Sequence, residues 1–254
     1  MTSPHMSPIA GPLTLRPVSA DVGEDIAFAA RWLLLGGAAG AWAGLLIGGV
    51  GGRTAMFVLR VTSSDAVRGV ESDDGFTIGR ISGESGFLLA ITTVLGLFVG
   101  VVLVVARSQL HGWLGVSLTV LAAGTLGAAA IIEPDGVDFT RLAPLPLACA
   151  MFTVIPVAAA ALTLWFVRRW SVWWWRKRGR TLFASLPWLI AVPTFFVSIP
   201  FLLVALGLAM AVLRIGVLRQ AVTGQAGRFA AMAIAVAVIS FASVALITDI
   251  AEIV

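Results

Sequence analysis

Clustered carboxylates occur in two polar segments of the chain, and carboxylates are the ligands that hard cations such as calcium prefer. The segments span residues 62–86 and 133–146, and their acidic residues include Asp73, Asp74, Glu133, Asp135 and Asp138. Neither segment has the D-x-D-x-D-G spacing of a calcium loop, so no metal site is predicted. Together with Arg80 and Arg141, these residues form candidate external interaction loops.

Other patterns that could support catalysis are absent from the sequence. The stretch GGVGGRT at 48–54 superficially suggests a phosphate loop, but its glycine spacing is wrong and arginine replaces the required lysine. The apolar cores of the later spans contain no ionisable residue, whereas ion-coupled transporters usually place such residues there. The lone Cys149 cannot form an intramolecular disulfide. The chain is therefore predicted to be non-enzymatic, with no catalytic or cofactor-binding residues and no cofactor.

Tryptophan and basic residues alternate between residues 165 and 180. Within this group, the predicted membrane-interface anchor consists of Arg168, Arg169, Trp173, Trp174, Trp175, Arg176, Lys177 and Arg178. Tryptophan prefers the headgroup level and arginine prefers the cytoplasmic face, so we expect this segment to bind an anionic inner leaflet. Nucleic acid is not an expected partner, because the basic residues lie beside apolar spans.

The composition places these motifs in a membrane protein. Apolar residues make up 59% of the chain and charged residues only 12%, about half of what a soluble domain carries. The mean hydropathy is +1.00. The predicted fold class is all-α, a polytopic membrane helix bundle in the plasma membrane of a bacterium.

Hydropathy divides the chain into a disordered tail at 1–25, a membrane domain at 26–249 and a short tail at 250–254. The domain contains six predicted spans, at about 26–52, 87–106, 113–132, 147–167, 186–213 and 229–247. The proline-rich fifth segment leaves an alternative open, in which five spans are accompanied by a segment that re-enters near Ser198 to Pro200. The sequence favours six spans.

Charge predicts the orientation of these spans. With the N-terminus in the cytoplasm, the basic stretch at 168–180 lies inside and both acidic loops lie outside, as the positive-inside rule requires. Arg214, Arg219 and Arg228 disagree, because six spans place them outside.

Glycine recurs every four residues through the first span. This face consists of Gly36, Gly40, Gly44, Gly48 and Gly52. Residues four apart share a helical face, and a face without side chains permits close approach of another helix. Helix packing is therefore the predicted role of these glycines, either within the chain or in self-association.

The polar segments resemble those of a group of uncharacterised multi-pass bacterial membrane proteins. The similar stretches are GRTAMFVLRVTSSDAVRGVESDDGFTIGRI and EPDGVDFTRLAPL, and the resemblance implies location and fold without an activity. The predicted function is that of a membrane scaffold or accessory subunit whose partner is another membrane protein or a second copy. The alternative is a small channel or permease whose acidic loops attract cations.

Overall fold

The computed structural model describes residues 22–64, 69, 83–110, 112–176, 186–215, 222 and 224–253. The side chains of residues 84, 108, 109, 137, 172–198 and 213 are outside the description. The elements are α1 (Val22–Ala43), a π-helix (Gly44–Gly51), α2 (Gly52–Thr62), α3 (Gly83–Gln109), α4 (Gly112–Ala129), α5 (Val137–Thr140), α6 (Leu145–Arg176), α7 (Leu186–Arg214) and α8 (Gln225–Ile253). The described residues contain no strand. The predicted all-α polytopic bundle is confirmed.

Five helices in the described part of the chain are long and apolar enough to cross a membrane. The first is continuous from Val22 to Thr62 through the π-helix, a total of 41 residues. At 1.5 Å per residue an α-helix of this length measures about 60 Å, roughly twice the thickness of the bilayer core. The helix begins four residues before the predicted span. Residues 22–25, assigned to the disordered tail, are therefore helical.

Contacts between helices fix the direction in which each one runs. Gly36 faces Val104 while Gly44 faces Thr92, so α1 and α3 are antiparallel. We call the end of the bundle that contains the start of α1 and the last turn of α3 the arginine end. The opposite end, which contains Thr62, is the loop end.

The last part of α7 runs toward the arginine end. Phe201 packs in a cluster with Ala41, whereas Ala209 packs against Ala29, closer to the start of α1. Arg214 then forms an ion pair with Asp25, with 2.9 Å between Nη2 and Oδ2. This direction is opposite to the one that six alternating spans require.

Helix α8 supports the same conclusion, because Leu246 near its C-terminus packs against Leu59 at the loop end. The preferred arrangement of six alternating spans is therefore wrong in the direction of α7 and α8. Within the described residues, five helices are long and apolar enough to cross a membrane, and α7 is an additional helix. Among the described residues, α7 provides only a short apolar helix, Ile199–Val212. Its backbone is helical through Ser198 to Pro200, where the alternative placed a turn. Hydropathy missed the direction because it measures the transfer of a segment into lipid, which is the same for either direction.

Apolar clusters close the bundle at both ends. At the loop end, Leu59, Ile132 and Leu142 pack together with Phe139, whose ring meets Phe152 edge to face at 5.3 Å. At the arginine end, side chains of α1, α3 and α6 form a second cluster, whose buried members are Trp32, Leu35, Ala39, Val104 and Val167. The short connection between α3 and α4 uses Gly112 at φ +76°, a conformation that glycine adopts without strain.

Candidate interaction surface

The glycine face of α1 packs directly on the backbone of α3. A β-carbon built on Gly40 would lie 2.7 Å from the Cα of Gly100 and would overlap the carbonyl oxygen of Gly96. A β-carbon built on Gly44 would lie 3.0 Å from the Cα of Gly96. Carbon atoms in contact are normally about 3.5–4.0 Å apart, so only glycine permits this helix spacing.

The α3 side of this contact is also made of glycine. A β-carbon on Gly100 would lie 2.8 Å from the Cα of Gly40, and one on Gly96 would lie 2.8 Å from the Cα of Gly44. Gly96 and Gly100 were not among the predicted packing glycines, although their spacing of four residues in an apolar span is a visible signal. In this structure the glycine face of α1 is covered by α3 of the same chain, which corresponds to packing within the chain and not to self-association.

The five predicted packing glycines do not behave alike. Gly36, Gly40 and Gly44 face α3 closely. The atoms nearest to a β-carbon on Gly48 instead belong to the Thr92 side chain, the closest being its Cβ at 3.2 Å. A β-carbon on Gly52 would find no atom within 4 Å. The register changes because the π-helix intervenes, and its wider i→i+5 turns move residues four apart off a common face.

Residues 130–144, which we call the platform, join α4 to α6 at the loop end. Hydrogen bonds tie the platform to the end of α2. The hydroxyl of Thr62 donates to the carbonyl of Ala143 at 2.8 Å, and the Ala143 N–H donates to Ser63 Oγ at 2.7 Å. These bonds connect residues 80 or 81 apart in sequence.

The underside of the platform is part of the protein core. Ile132 and Leu142 are each 1% exposed and Phe139 is 3% exposed, and all three belong to the cluster around Leu59. Within the platform, the N–H of Gly136 donates to the carbonyl of Glu133 at 3.0 Å. Packing and hydrogen bonds together hold this connection in a defined shape.

The upper side of the platform presents three of the predicted interaction residues to solvent, namely Glu133, Asp135 and Arg141. Asp138, also predicted for this surface, is instead 5% exposed in the first turn of α5. Sequence spacing could not distinguish it from its exposed neighbours, because α5 is a single turn whose orientation depends on Phe139 packing inward. The remaining predicted residues, Asp73, Asp74 and Arg80, lie outside the described residues.

The predicted interface anchor begins in the last third of α6, at the arginine end. Arg168 and Arg169 are exposed there, and the Phe166 and Trp170 rings stack at 4.6 Å. The helical backbone extends to Arg176, and the side chains of Trp173, Trp174, Trp175 and Arg176 are outside the description. Lys177 and Arg178 lie beyond the described residues.

An apolar cleft of about 380 Å³ lies between the first long helix and α6. Its lining includes Ala55, Met151 and Val154, and its one hydroxyl, on Thr54, donates to the Val50 carbonyl at 2.8 Å. The cleft therefore offers apolar surface. In the described part of the chain, no group of three or more histidine, cysteine or acidic residues is arranged to hold a metal ion.

The chain was compared with protein-family models, curated proteins and solved structures, and none of them matches it.

Proposed function

We propose that the protein is a non-enzymatic membrane scaffold or accessory subunit that binds a partner through the platform. The observation that carries this proposal is the combination of a buried underside with a charged upper side. Leu142 and Phe139 fix the platform to the bundle, while Glu133, Asp135 and Arg141 remain exposed. A connection needed only to join two helices does not require this packing.

A fixed platform favours binding for a physical reason. Association costs about 0.5–1.5 kcal/mol for each flexible side chain that becomes ordered, and a surface that is already ordered avoids part of that cost. The nearby end of α8 adds Asp249 and Glu252 to the acidic side chains at the loop end. A complementary partner therefore presents basic side chains close to the membrane surface.

The close packing of α1 on α3 is the reason for preferring this function to a channel. Glycine backbones meet between α1 and α3, which leaves no space for a path there. The buried hydroxyls of Thr93, Thr119 and Thr163 each donate to the carbonyl four residues earlier in their own helix. Such hydroxyls are already satisfied and do not form a polar track across the membrane.

We also propose that the arginine end faces the cytoplasm of a bacterial cell, with the platform outside. The described basic residues at the arginine end are Arg31, Arg107, Arg168, Arg169, Arg176, Arg214 and Arg228. Those toward the loop end are Arg53, Arg60 and Arg141. The five-span arrangement thus places Arg214 and Arg228 on the same side as the other arginines, in agreement with the positive-inside rule.

Single cysteines introduced at three exposed positions test this arrangement. In intact cells, an impermeant thiol reagent should label a cysteine at Asp135 and should not label one at Arg169 or Ile215. Ile215 is the decisive position, because six spans would place it on the same side as Asp135. Labelling of Ile215 together with Asp135 would contradict the five-span assignment.

Site-specific photocrosslinking tests the proposed function. A photoreactive residue at Asp135 should give one crosslinked product of defined mass in native membranes. The same residue at Arg228, exposed at the opposite end, should not give that product. A product from Asp135 that contains only this chain would mean that the platform mediates self-association. Equal products from both positions would contradict a role for the platform.

Charge reversal provides the matched control. Glu133→Lys should abolish the crosslink from Asp135, because it places a positive charge where a basic partner binds. Glu252→Lys makes the same change on the neighbouring end of α8, outside the platform itself, and should remove less of the product than Glu133→Lys does. Equal loss in both variants would indicate general attraction to an acidic surface, without specific docking.

A further inference from the structure

Arg107 is a buried cation in the last turn of α3. It is 9% exposed, and its Nη1 atom has no hydrogen-bond partner in the described structure. The guanidinium has five N–H donors and remains charged at all physiological pH values. A buried charge is costly unless an opposite charge or acceptors surround it. The exposed Arg168 and Arg169 at the same end have no such requirement, because water solvates them.

Trp32 presents a second unpaired donor in the same region. Its side chain is 6% exposed, and its indole Nε1 is buried without a partner. Gly36 faces Val104, and a β-carbon on it would lie 2.6 Å from a Val104 methyl carbon. Trp32 lies four residues before Gly36 and Arg107 lies three residues after Val104. Both are therefore one turn closer to the arginine end, on facing sides of antiparallel helices.

Among the described residues at this end, the buried carboxylate is that of Asp25, which is engaged with Arg214. Asp25 lies 2.9 Å from Arg214, in the contact between α1 and α7. Trp32 packs instead in the cluster that joins α1, α3 and α6, together with Val104 and Val167. Two buried donor-only side chains therefore occur at the same level of α1 and α3, one of them in this cluster and the other one turn from its member Val104. The chemistry that they lack is an anionic acceptor.

We propose that Arg107 and Trp32 bind a phosphate group at the junction of α1, α3 and α6. Phosphate oxygens accept two parallel hydrogen bonds from a guanidinium, and a further oxygen accepts the indole N–H. Arg168 and Arg169 at the same end raise the local concentration of anions. The phosphate belongs either to an anionic lipid headgroup, for which basic pockets between membrane helices are suited, or to a free phosphate ion.

Thermal unfolding of the full chain tests the site. The protein is purified in mild detergent, delipidated, and measured alone, with phosphatidylglycerol, with phosphatidylcholine and with inorganic phosphate. Phosphatidylglycerol should raise the Tm of the wild type. In the Arg107→Gln variant, the same rise in Tm should require at least about ten times more phosphatidylglycerol, since the substitution removes a charge-assisted pair of hydrogen bonds. Arg169→Gln removes the same charge at an exposed position and should change the required lipid concentration less than about threefold.

The delipidated variants separate a binding role from a structural one. Without its ligand, Arg107 is an uncompensated charge, so Arg107→Gln should match or exceed the Tm of the wild type. Trp32→Phe keeps the aromatic ring and removes the N–H. The same rise in Tm should therefore require a phosphatidylglycerol concentration between those of the wild type and Arg107→Gln. If Arg107→Gln lowers the Tm relative to the wild type by the same amount with and without phosphatidylglycerol, the proposal is overturned. Equal lipid responses of Arg107→Gln and Arg169→Gln would also overturn it.

The remaining additives identify the source of the phosphate. If inorganic phosphate gives the Arg107-dependent stabilisation and competes with phosphatidylglycerol, the site binds the free ion. If only phosphatidylglycerol stabilises, the site binds a lipid headgroup. Stabilisation by phosphatidylcholine equal to that by phosphatidylglycerol, and independent of Arg107, would reduce the effect to general solvation by lipid and would contradict the site.

Discussion

Replacement of Gly40 by alanine tests the glycine-to-glycine contact between α1 and α3. The added β-carbon would lie 2.7 Å from the Cα of Gly100 and would overlap the carbonyl oxygen of Gly96. Gly52→Ala is the matched control, because its β-carbon would have no atom within 4 Å. Gly52 lies in the same long helix, with ordinary helical angles of φ −58° and ψ −46°.

The expected difference follows from these distances. Both substitutions gain about 1 kcal/mol of helix propensity, which cancels when the two variants are compared. To reach a normal carbon–carbon distance, α1 and α3 must separate by roughly 1 Å, and such a gap forfeits a quarter to a half of each dispersion contact. Overpacking of this kind costs about 1–3 kcal/mol. We therefore expect the Gly40→Ala variant to be less stable than the Gly52→Ala variant by about that amount.

The assay is reversible unfolding in mixed micelles, followed by tryptophan fluorescence, with molar mass measured by light scattering. The mass of the protein in its detergent complex should not change, because the groove is occupied by α3 of the same chain. Equal stability of the two variants would refute the close packing of α1 on α3. A fall in mass for Gly40→Ala with unchanged stability would instead indicate that the glycine face joins separate copies.

Two further pairs of substitutions test the contacts at each end of the bundle. Ser63→Ala removes a bond to Ala143 and should speed protease cleavage of the platform by about 2- to 10-fold, as expected for the loss of one hydrogen bond. Thr248→Ala is the control, because the Thr248 hydroxyl donates at 2.9 Å to the carbonyl four residues earlier in its own helix. This variant should not change the rate of platform cleavage. Equal cleavage of the two variants would contradict a stabilising bond between Ser63 and Ala143. At the arginine end, Asp25→Asn should lower the unfolding free energy by about 1–3 kcal/mol, since Arg214 loses its carboxylate. In unfolding measurements, Arg214→Gln should add little to that loss, and fully additive losses would argue against the pair.

Several properties of this protein follow from the sequence alone. The content of apolar residues and the length of the apolar runs predicted a helical membrane bundle, because lipid requires every backbone polar group to be satisfied within a helix or a closed barrel. The four-residue spacing of Gly36, Gly40 and Gly44 predicted a packing face, since helical periodicity places them in line. These inferences need only local geometry and the cost of transferring a segment into lipid.

Tertiary structure decided the features that depend on which surfaces meet. The direction of α7 is set by its contacts with α1 and by the Asp25–Arg214 pair, and hydropathy is the same for either direction. Asp138 is buried and Asp135 is exposed because the packing of Phe139 orients α5. The π-helix ends the glycine register before Gly52. In each case the energy lies in contacts between segments distant in sequence or in backbone geometry, and neither can be read from residue spacing.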